Sequence, residues 1–229
     1  MLAVLYLIFN EGYAATAGEA LVRRELCAEA IRLAKILVDL MPDEPEVLGL
    51  LGLMLTHDAR RDARMSRDGE LVPLEEQDRT KWDRGQQLEA MAVLQRALAR
   101  GQPGSYQIQA AIAGLHGASR AEDTDWRRIA ELYGELVRYQ PTPVVQLNRG
   151  VAIAMAEGPE RGLAFIDRSA SGGELNGYYL FHAARADLLR RLGRNGEAGS
   201  AYGRALELVT NDVERRFLER RLREVRGAG

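Results

Sequence analysis

The chain has 229 residues, of which 46% are hydrophobic and 28% charged, and its formal net charge is −2. This length fits one large domain or one helical array, and the hydrophobic content is sufficient to bury a core. The near-neutral charge argues against a domain that binds nucleic acid over a basic face. The single cysteine excludes an internal disulfide, and no Cys/His cluster has zinc-site spacing, so we expect neither a metal nor a cofactor.

The first predicted helix covers residues 2–13, and its apolar composition predicts a buried helix. It is too short to span a bilayer and lacks the basic flank of a signal peptide, so no membrane association is expected. Two interpretations of the apolar start stay open: residue 1 is a cut point with an upstream part missing, or the chain begins with a short buried helix. Gly12 fits a left-handed cap at the end of this helix, with Tyr13 packing back onto it.

Two more helices are predicted over residues 18–41 and 44–59. The second is apolar almost all round, which predicts a central position in the fold. Gly49 and Gly52 would weaken an isolated helix, so they indicate close backbone packing against a neighbour. The apolar stripe predicted for residues 18–41 consists of Leu26, Ala30, Leu33, Leu37 and Leu40.

Residues 60–82 break the helical pattern and form the longest polar stretch of the chain. Asp68-Gly69 is a turn signal, and residues 70–74 could form a short extended arm. Long loops in compact arrays are usually functional or mobile. With the preceding helix end, this stretch carries the densest polar cluster: His57, Asp58, Arg60, Arg61, Arg64, Asp68, Gln77, Asp78, Arg79, Trp82 and Asp83.

This polar cluster allows a catalytic and a non-catalytic interpretation. A hydrolase would pair His57 with Asp58 or Asp78 as acid and base, and would need a nucleophile or a metal within reach. The sequence contains no G-x-S-x-G, H-E-x-x-H or Walker-type loop to supply one. We therefore predict a structural or partner-docking segment, and a chain that is not an enzyme.

Helices continue through the rest of the chain. Asp123-Thr124-Asp125 is a strong N-terminal cap signal, after which Trp126 begins an apolar face and is predicted to lie in the core. Asn211 is predicted to cap the final helix. Glycine-rich helices within residues 150–162 could form a dimer seam as easily as an internal one. The remaining predicted helices cover residues 83–100, 105–118, 126–137, 143–156, 159–169, 177–192, 195–209 and 212–226.

Three stretches share a helix-turn-helix pattern that returns near every 34 residues. Pro42 and Pro141 are 99 residues apart, about three periods, and each separates two amphipathic helices. Gly150 and Ala186, 36 residues apart, hold matching small-residue positions. This pattern is typical of tetratricopeptide repeats, which stack into a superhelix whose concave face binds other chains. The three stretches are residues 29–55, 131–156 and 182–208.

The predicted fold class is therefore all-α: a tetratricopeptide-like array of antiparallel helix pairs in a right-handed superhelix, with ten or eleven helices. We expect an N-terminal helical region over residues 1–120, with the polar loop at 60–82. Tetratricopeptide-like repeats with a C-terminal capping helix should follow over residues 121–229, in one continuous array.

Long, ordered motifs over essentially the whole chain resemble one family. It is the C-terminal extension of extracytoplasmic-function (ECF) RNA polymerase sigma factors that carry a tetratricopeptide tail. The motifs are LAVLYLIFNEGYAA (2–15), LCAEAIRLAKILVDLMPDEPEVLGLLGLMLTHDARRDAR (26–64), DGELVPLEEQDRTKWDRG (68–85), PGSYQIQAAIAGLHG (103–117), TDWRRIAELYGELV (124–137), HAARADLLRRLGRNGEA (182–198) and NDVERRFLERRL (211–222).

The resemblance implies a bacterial, cytoplasmic transcription protein. In that family, two N-terminal domains bind core polymerase and the −10 and −35 promoter elements, and neither domain is in this chain. DNA would thus be reached only through the missing sigma regions. The tail is implied to control sigma activity in place of a separate anti-sigma factor. The implied partners are its own N-terminal sigma domains, the RNA polymerase core and a YCII-like (DGPF) protein.

Thirteen residues match the distinctive motifs of the family, although the resemblance does not assign their individual roles. We expect the 57–83 segment and the 10–13 turn to form the partner-binding surface. The alternatives are a small-ligand sensor or enzyme that uses His57, Asp78 and Arg79, and a generic peptide-binding scaffold that uses its concave groove. The matching residues are Asn10, Glu11, Gly12, Tyr13, His57, Asp58, Arg60, Arg61, Gln77, Asp78, Arg79, Trp82 and Asp83.

Overall fold

The computed structural model describes residues 1–16, 22–117 and 120–227. Over these residues the fold is all-α with eleven α-helices, which confirms the predicted class and the predicted number of helices. None of these helices combines the length and the apolar composition that a transmembrane span requires. The helices are α1 (Leu2–Tyr13), α2 (Arg24–Leu40), α3 (Pro45–Asp58), α4 (Arg84–Leu98), α5 (Ser105–Leu115), α6 (Trp126–Leu136), α7 (Pro143–Glu157), α8 (Pro159–Ser169), α9 (Tyr179–Arg191), α10 (Asn195–Leu208) and α11 (Asp212–Gly227).

The chain forms two compact units, Met1–Thr124 (unit 1) and Asp125–Gly229 (unit 2). In unit 1, α3 packs against α1, α2, α4 and α5, and every residue from Val47 to Leu55 is buried. The prediction of a central, all-round apolar helix is confirmed.

The glycines of α3 allow this close packing, as the sequence predicted. A Cβ atom at Gly49 would lie 2.7 Å from the backbone nitrogen of Gln107 on α5. A Cβ atom at Gly52 would lie 3.4 Å from the backbone oxygen of Ala90 on α4. Each glycine therefore lets the backbone of a neighbouring helix approach α3.

The prediction that α1 is a buried helix is wrong for one of its faces. Leu5 and Phe9 are buried, but the side chains of Val4 and Leu7 are 58% and 66% exposed. Within unit 1, α1 packs against α2 and α3, which cover one face of the helix. The left-handed cap at Gly12 is also wrong, because this residue is helical and has no positive φ.

Gly12 is instead a close-approach position. A Cβ atom there would lie 2.7 Å from the backbone nitrogen of Cys27 on α2. The end of α1 is closed by Ala14, whose backbone nitrogen donates to the oxygen of Asn10. Gly12 therefore sets the distance between α1 and α2.

The predicted position and stripe of the second helix also need correction. The helix starts at Arg24, whereas residues 18–21 of the predicted span lie outside the described residues. Leu40, predicted on the buried stripe, is 74% exposed, and Leu26 and Leu33 are only half-buried. Because α2 packs between α1 and α3, its buried face is shifted to Cys27, Ala30, Ile31, Ala34, Leu37 and Val38.

In unit 2, each helix from α6 to α10 packs against the next one in the chain. The predicted caps are confirmed, since Asp125 Oδ1 accepts from the backbone nitrogen of Arg128 at 2.9 Å and Asn211 Oδ1 accepts from that of Val213 at 3.0 Å. Trp126 was predicted in the core but is only half-buried, because it is the first residue of α6.

Candidate functional site

The polar segment (residues 60–82) folds into short, closed pieces rather than an open loop. Its three single-turn 3₁₀ helices are Arg61–Ala63, Leu74–Glu76 and Arg79–Lys81. An antiparallel bridge joins Met65 to Leu71 around the predicted turn, where Gly69 has a φ of +74°.

The two ends of the polar segment meet between α3 and α4. The backbone nitrogen of Asp83 donates to the oxygen of Ala59 at 2.7 Å. The contact between Ala59 and Asp83 brings the adjacent residues, Arg60 and Trp82, close together. This contact places the beginning and the end of the segment on one side of unit 1.

Tyr13, at the end of α1, joins that helix to the polar segment. Its ring stacks on Phe9 with centroids 5.8 Å apart, and it lies 5.0 Å from the ring of His57. The guanidinium carbon of Arg64 lies 3.6 Å from the centroid of the Tyr13 ring, a cation–π contact, and Arg64 Nη1 donates to the Tyr13 carbonyl oxygen. The predicted packing of Tyr13 back onto α1 is confirmed.

His57 is held as a neutral imidazole. Its Nδ1 lies 2.8 Å from Nη2 of Arg60, and because a guanidinium can only donate, Nδ1 accepts and the proton is on Nε2. Burial, together with the nearby charges of Arg60, Arg64 and His116, lowers the pKa of His57 well below its usual value. This environment disfavours the imidazolium.

Asp58, Arg61 and Gln86 form a closed hydrogen-bonded network between α3 and α4. Asp58, only 8% exposed, accepts from Arg61 Nη1 at 2.7 Å and from Gln86 Nε2 at 2.9 Å. Arg61 Nη1 also donates to Gln86 Oε1 at 3.0 Å. The contacts assign Asp58 and Arg61 to holding the two helices together.

Asp78 and Asp83 act as helix caps. Asp78 Oδ1 accepts from the backbone nitrogen and the hydroxyl of Thr80, at 3.0 and 2.6 Å, and these bonds lower the pKa of Asp78. Asp83 Oδ1 accepts from the backbone nitrogen of Gln86 at 2.9 Å and caps α4. Asp78 thus bonds to Thr80, and His57 bonds to Arg60. These hydrogen bonds do not link Asp78 to His57 as an acid–base pair.

Arg79 connects the polar segment to the end of α5. Its Nη1 donates to the backbone oxygen of His116 at 2.6 Å, and its guanidinium carbon lies 4.8 Å from the centroid of the Trp82 ring. Burial, then the charge of Arg60, lowers the pKa of Arg79. For His116, burial and the charges of Arg60 and Arg79 lower the pKa to about 4. His116 was not predicted at this site, because nothing in the local sequence links it to Arg79, 37 residues away.

Three buried polar atoms of the polar segment have no hydrogen-bond partner: Arg60 Nε, Trp82 Nε1 and Gln77 Oε1. The other end of the Gln77 amide donates to the Val72 oxygen at 3.2 Å. A buried polar group without a partner costs about 1–3 kcal/mol. Such groups are uncommon in folded proteins and call for an explanation, such as a ligand or a partner.

The two remaining predicted residues make contacts near the end of α1. Glu11 forms an ion pair with Arg23 at 3.0 Å and accepts from the Thr16 hydroxyl at 3.1 Å. The Asn10 side chain hydrogen-bonds with Tyr6 and lowers the pKa of that phenol, although burial raises it overall.

Three arginines and two histidines of the site lie close enough to influence one another. Arg60 lowers the pKa of Arg79, His57 and His116, and Arg64 also lowers the pKa of His57. We call these five residues the cationic cluster, because its three guanidinium groups are charged while its imidazoles are kept neutral. Among the residues that the structure describes, no group of three or more His, Cys, Asp or Glu could hold a metal ion. The arrangement suits an anionic group or a hydrogen-bond acceptor from a partner.

We expect unit 1 to lose stability as the pH falls, because folding favours neutral His116. Its pKa is about 4 in the folded chain against 6.5 for an ordinary histidine, so the stabilisation is complete above pH 6.5 and is lost between about pH 6.5 and 4. The contribution is up to about 3 kcal/mol. Urea denaturation of wild type and His116→Gln near pH 7.5 and pH 4.5 checks this. An equally steep loss in the variant would contradict the assignment to His116.

Comparison with known proteins places all thirteen candidate residues in one matched segment. Residues 1–98 match a family of unknown function (DUF6596). An uncharacterized protein of Rhizobium meliloti (strain 1021) is 47% identical over 220 residues, which cover 96% of this chain and 52% of that protein. No solved structure matches the chain. The chain therefore spans about half the length of the curated relative it matches, and its first 98 residues are similar to that family.

Proposed function

We propose that this chain is the regulatory, protein-interaction part of a bacterial ECF-type RNA polymerase sigma factor. It acts in the cytoplasm, by binding rather than by catalysis. The partner is the sigma region of the same full-length protein, and the RNA polymerase core and a YCII-like (DGPF) protein are further candidates. DNA is reached through that sigma region alone. The motif resemblance supports the sigma assignment, and the length of the Rhizobium relative is compatible with it.

The observation that carries the docking surface is the pair of buried donors at the junction of α3 and α4. Arg60 Nε and Trp82 Nε1 have no partner, and the contact between Ala59 and Asp83 brings their residues together. An acidic or carbonyl-rich partner surface would satisfy both donors. Docking there would set how often the sigma region engages polymerase.

Calorimetry of the 229-residue chain with the separately purified upstream sigma region tests the proposal. We expect one-to-one binding that weakens as salt is raised, because exposed charges are screened. Trp82→Phe removes the unpartnered indole donor, and Arg60→Met removes the unpartnered Nε together with the hydrogen bond to His57. Each variant keeps much of the apolar bulk and should weaken binding about tenfold.

The matched control is Arg204→Ala, which removes an exposed pair with Glu207 in unit 2 and should bind like wild type. If both pieces are folded and do not bind, intramolecular control is wrong. Equal weakening by the control variant would instead contradict the placement of the surface at Arg60 and Trp82.

The same two donors also favour a second candidate function, a sensor for a small anion. An anion that binds the isolated chain through Arg60 and Trp82, in competition with the sigma region, would establish it. The enzyme interpretation gains no comparable support, because His57 Nδ1 accepts from Arg60 and Asp78 caps Thr80.

A further inference from the structure

Unit 2 contains a second cationic feature that the polar segment does not involve. A cleft of about 530 Å³ lies between α6 and α7 and reaches the first turn of α8. Its charged lining is mixed, with three arginines and two glutamates. The lining includes Arg127, Glu131, Arg149, Ile153, Glu157 and Arg161.

Arg149 is held in this cleft by packing rather than by an acid. Its guanidinium carbon lies 5.4 Å from the centroid of the Phe165 ring on α8. On the α6 side it lies against Gly134, where a Cβ atom would be 3.4 Å from the Arg149 guanidinium. The Phe165 ring on one side and the surface of α6 at Gly134, which has no side chain, on the other thus position the Arg149 guanidinium.

Arg149 also carries an unused donor. Its Nε is buried without a hydrogen-bond partner, and within the described part of the chain it forms no ion pair. Guanidinium groups match carboxylates through paired N–H donors. A half-buried arginine that is positioned by packing, forms no ion pair with a described residue and lines a cleft is therefore suited to an anionic ligand.

The other charges of the cleft indicate how much negative charge it accepts. Glu131 is paired with Arg128 at 2.9 Å, and Glu157 with Arg161 at 2.5 Å. Counted over the lining residues alone, three arginines against two glutamates leave one surplus positive charge, and Arg128, which pairs with Glu131, lies outside the lining. A singly charged carboxylate matches this surplus, whereas both glutamates would repel a dianionic phosphate.

We propose that this cleft binds a carboxylate group. Arg149 is the anchoring residue, Arg127 at the start of α6 supplies a second set of donors, and Ile153 contacts the apolar part of the ligand. The carboxylate belongs either to a small free acid or to the C-terminus of a peptide, and the experiment distinguishes these sources.

The test follows the Nε–Hε signal of Arg149 by NMR in the full chain. Acetate and propionate are titrated against sodium chloride at equal ionic strength, and a short peptide against its C-terminal amide. We expect a saturable shift with carboxylates only. Arg149→Lys keeps the charge but loses the paired donors, and it should bind about tenfold more weakly; because this variant lacks the Arg149 signal, its binding is followed through the backbone amide of Ile153 in both proteins. Saturation by acetate or propionate identifies a free acid, and saturation by the free peptide alone identifies a C-terminus.

Two further variants distinguish carboxylate binding in the cleft from a folding defect and from binding at the polar segment. Arg127→Gln should weaken carboxylate binding through a different, more exposed side chain, and Arg60→Met should leave it unchanged. Circular dichroism verifies that each variant is folded. No saturable shift with any carboxylate, or tighter binding of inorganic phosphate than of acetate, would overturn the carboxylate assignment.

Discussion

Replacing Gly162 with alanine is expected to destabilise unit 2 by about 3 kcal/mol, the cost of overpacking a tight interface. The new Cβ atom would lie 2.2 Å from the Cβ and 2.7 Å from the Cα of Ala154 on α7. Backbone cannot rotate away as a flexible side chain can, so α7 and α8 would have to separate. Urea denaturation followed by circular dichroism measures the loss in the free energy of unfolding.

Two companion variants distinguish this clash from a general effect of removing glycine. At Gly203, on α10, an added Cβ atom would meet no neighbouring atom within 4 Å. Gly203→Ala should therefore stabilise the chain by about 0.5–1 kcal/mol through better helix propensity. Adding Ala154→Gly to Gly162→Ala should restore only part of the lost stability, because the Cα and the backbone nitrogen of residue 154 would still lie 2.7 and 2.9 Å from the new Cβ atom. An unchanged free energy of unfolding in Gly162→Ala would show that α7 and α8 do not pack this closely.

Replacing Phe9 with alanine is expected to cost unit 1 about 4 kcal/mol, the usual range for a large core side chain. Phe9 is fully buried, stacks on Tyr13 with centroids 5.8 Å apart, and lies 6.5 Å from the His57 ring. The cavity would therefore remove the support beneath Tyr13 and loosen the cation–π contact of Arg64. Urea denaturation at neutral pH provides the measurement.

Leu7, on the same helix, is the matched control. Its side chain is 66% exposed, so Leu7→Ala should change the free energy of unfolding by less than about 0.5 kcal/mol. Comparable losses in Leu7→Ala and Phe9→Ala would support a helix buried on all sides, as the apolar sequence of α1 predicted, and would contradict the half-exposed helix of the structure.

The seam between α7 and α8 shows how one sequence pattern allows two structures. The glycines within residues 150–162 fit a dimer interface or an internal one. In the structure, a Cβ atom at Gly150 would lie 2.5 Å from a side-chain carbon of Ile166 on α8, and Gly162 faces Ala154. These glycines therefore serve an internal seam, a choice that depends on which helix faces which.

Only part of the candidate site could be predicted, because its contacts also depend on which elements face each other. The resemblance placed Arg60, Arg79 and Trp82 in one group, and the structure brings them together at the ends of the polar segment. Asp78 belonged to the same predicted group, yet its carboxylate caps Thr80. His116 joined the site through a contact 37 residues away from its partner. Long-range contacts of this kind leave no periodic signal.

Periodicity and capping act within a few residues, so the amino-acid sequence alone predicts which segments are helical and where several of them begin. Asp125 and Asn211 are such caps, and the all-round apolar composition of Val47–Leu55 sufficed to predict a central α3. The packing of the helices was needed to show which face of α1 is buried, how far the stripe of α2 is shifted, and why Gly12 has no side chain. Burial depends on the number and direction of neighbouring helices, and an apolar pattern shows what can be covered but not what covers it.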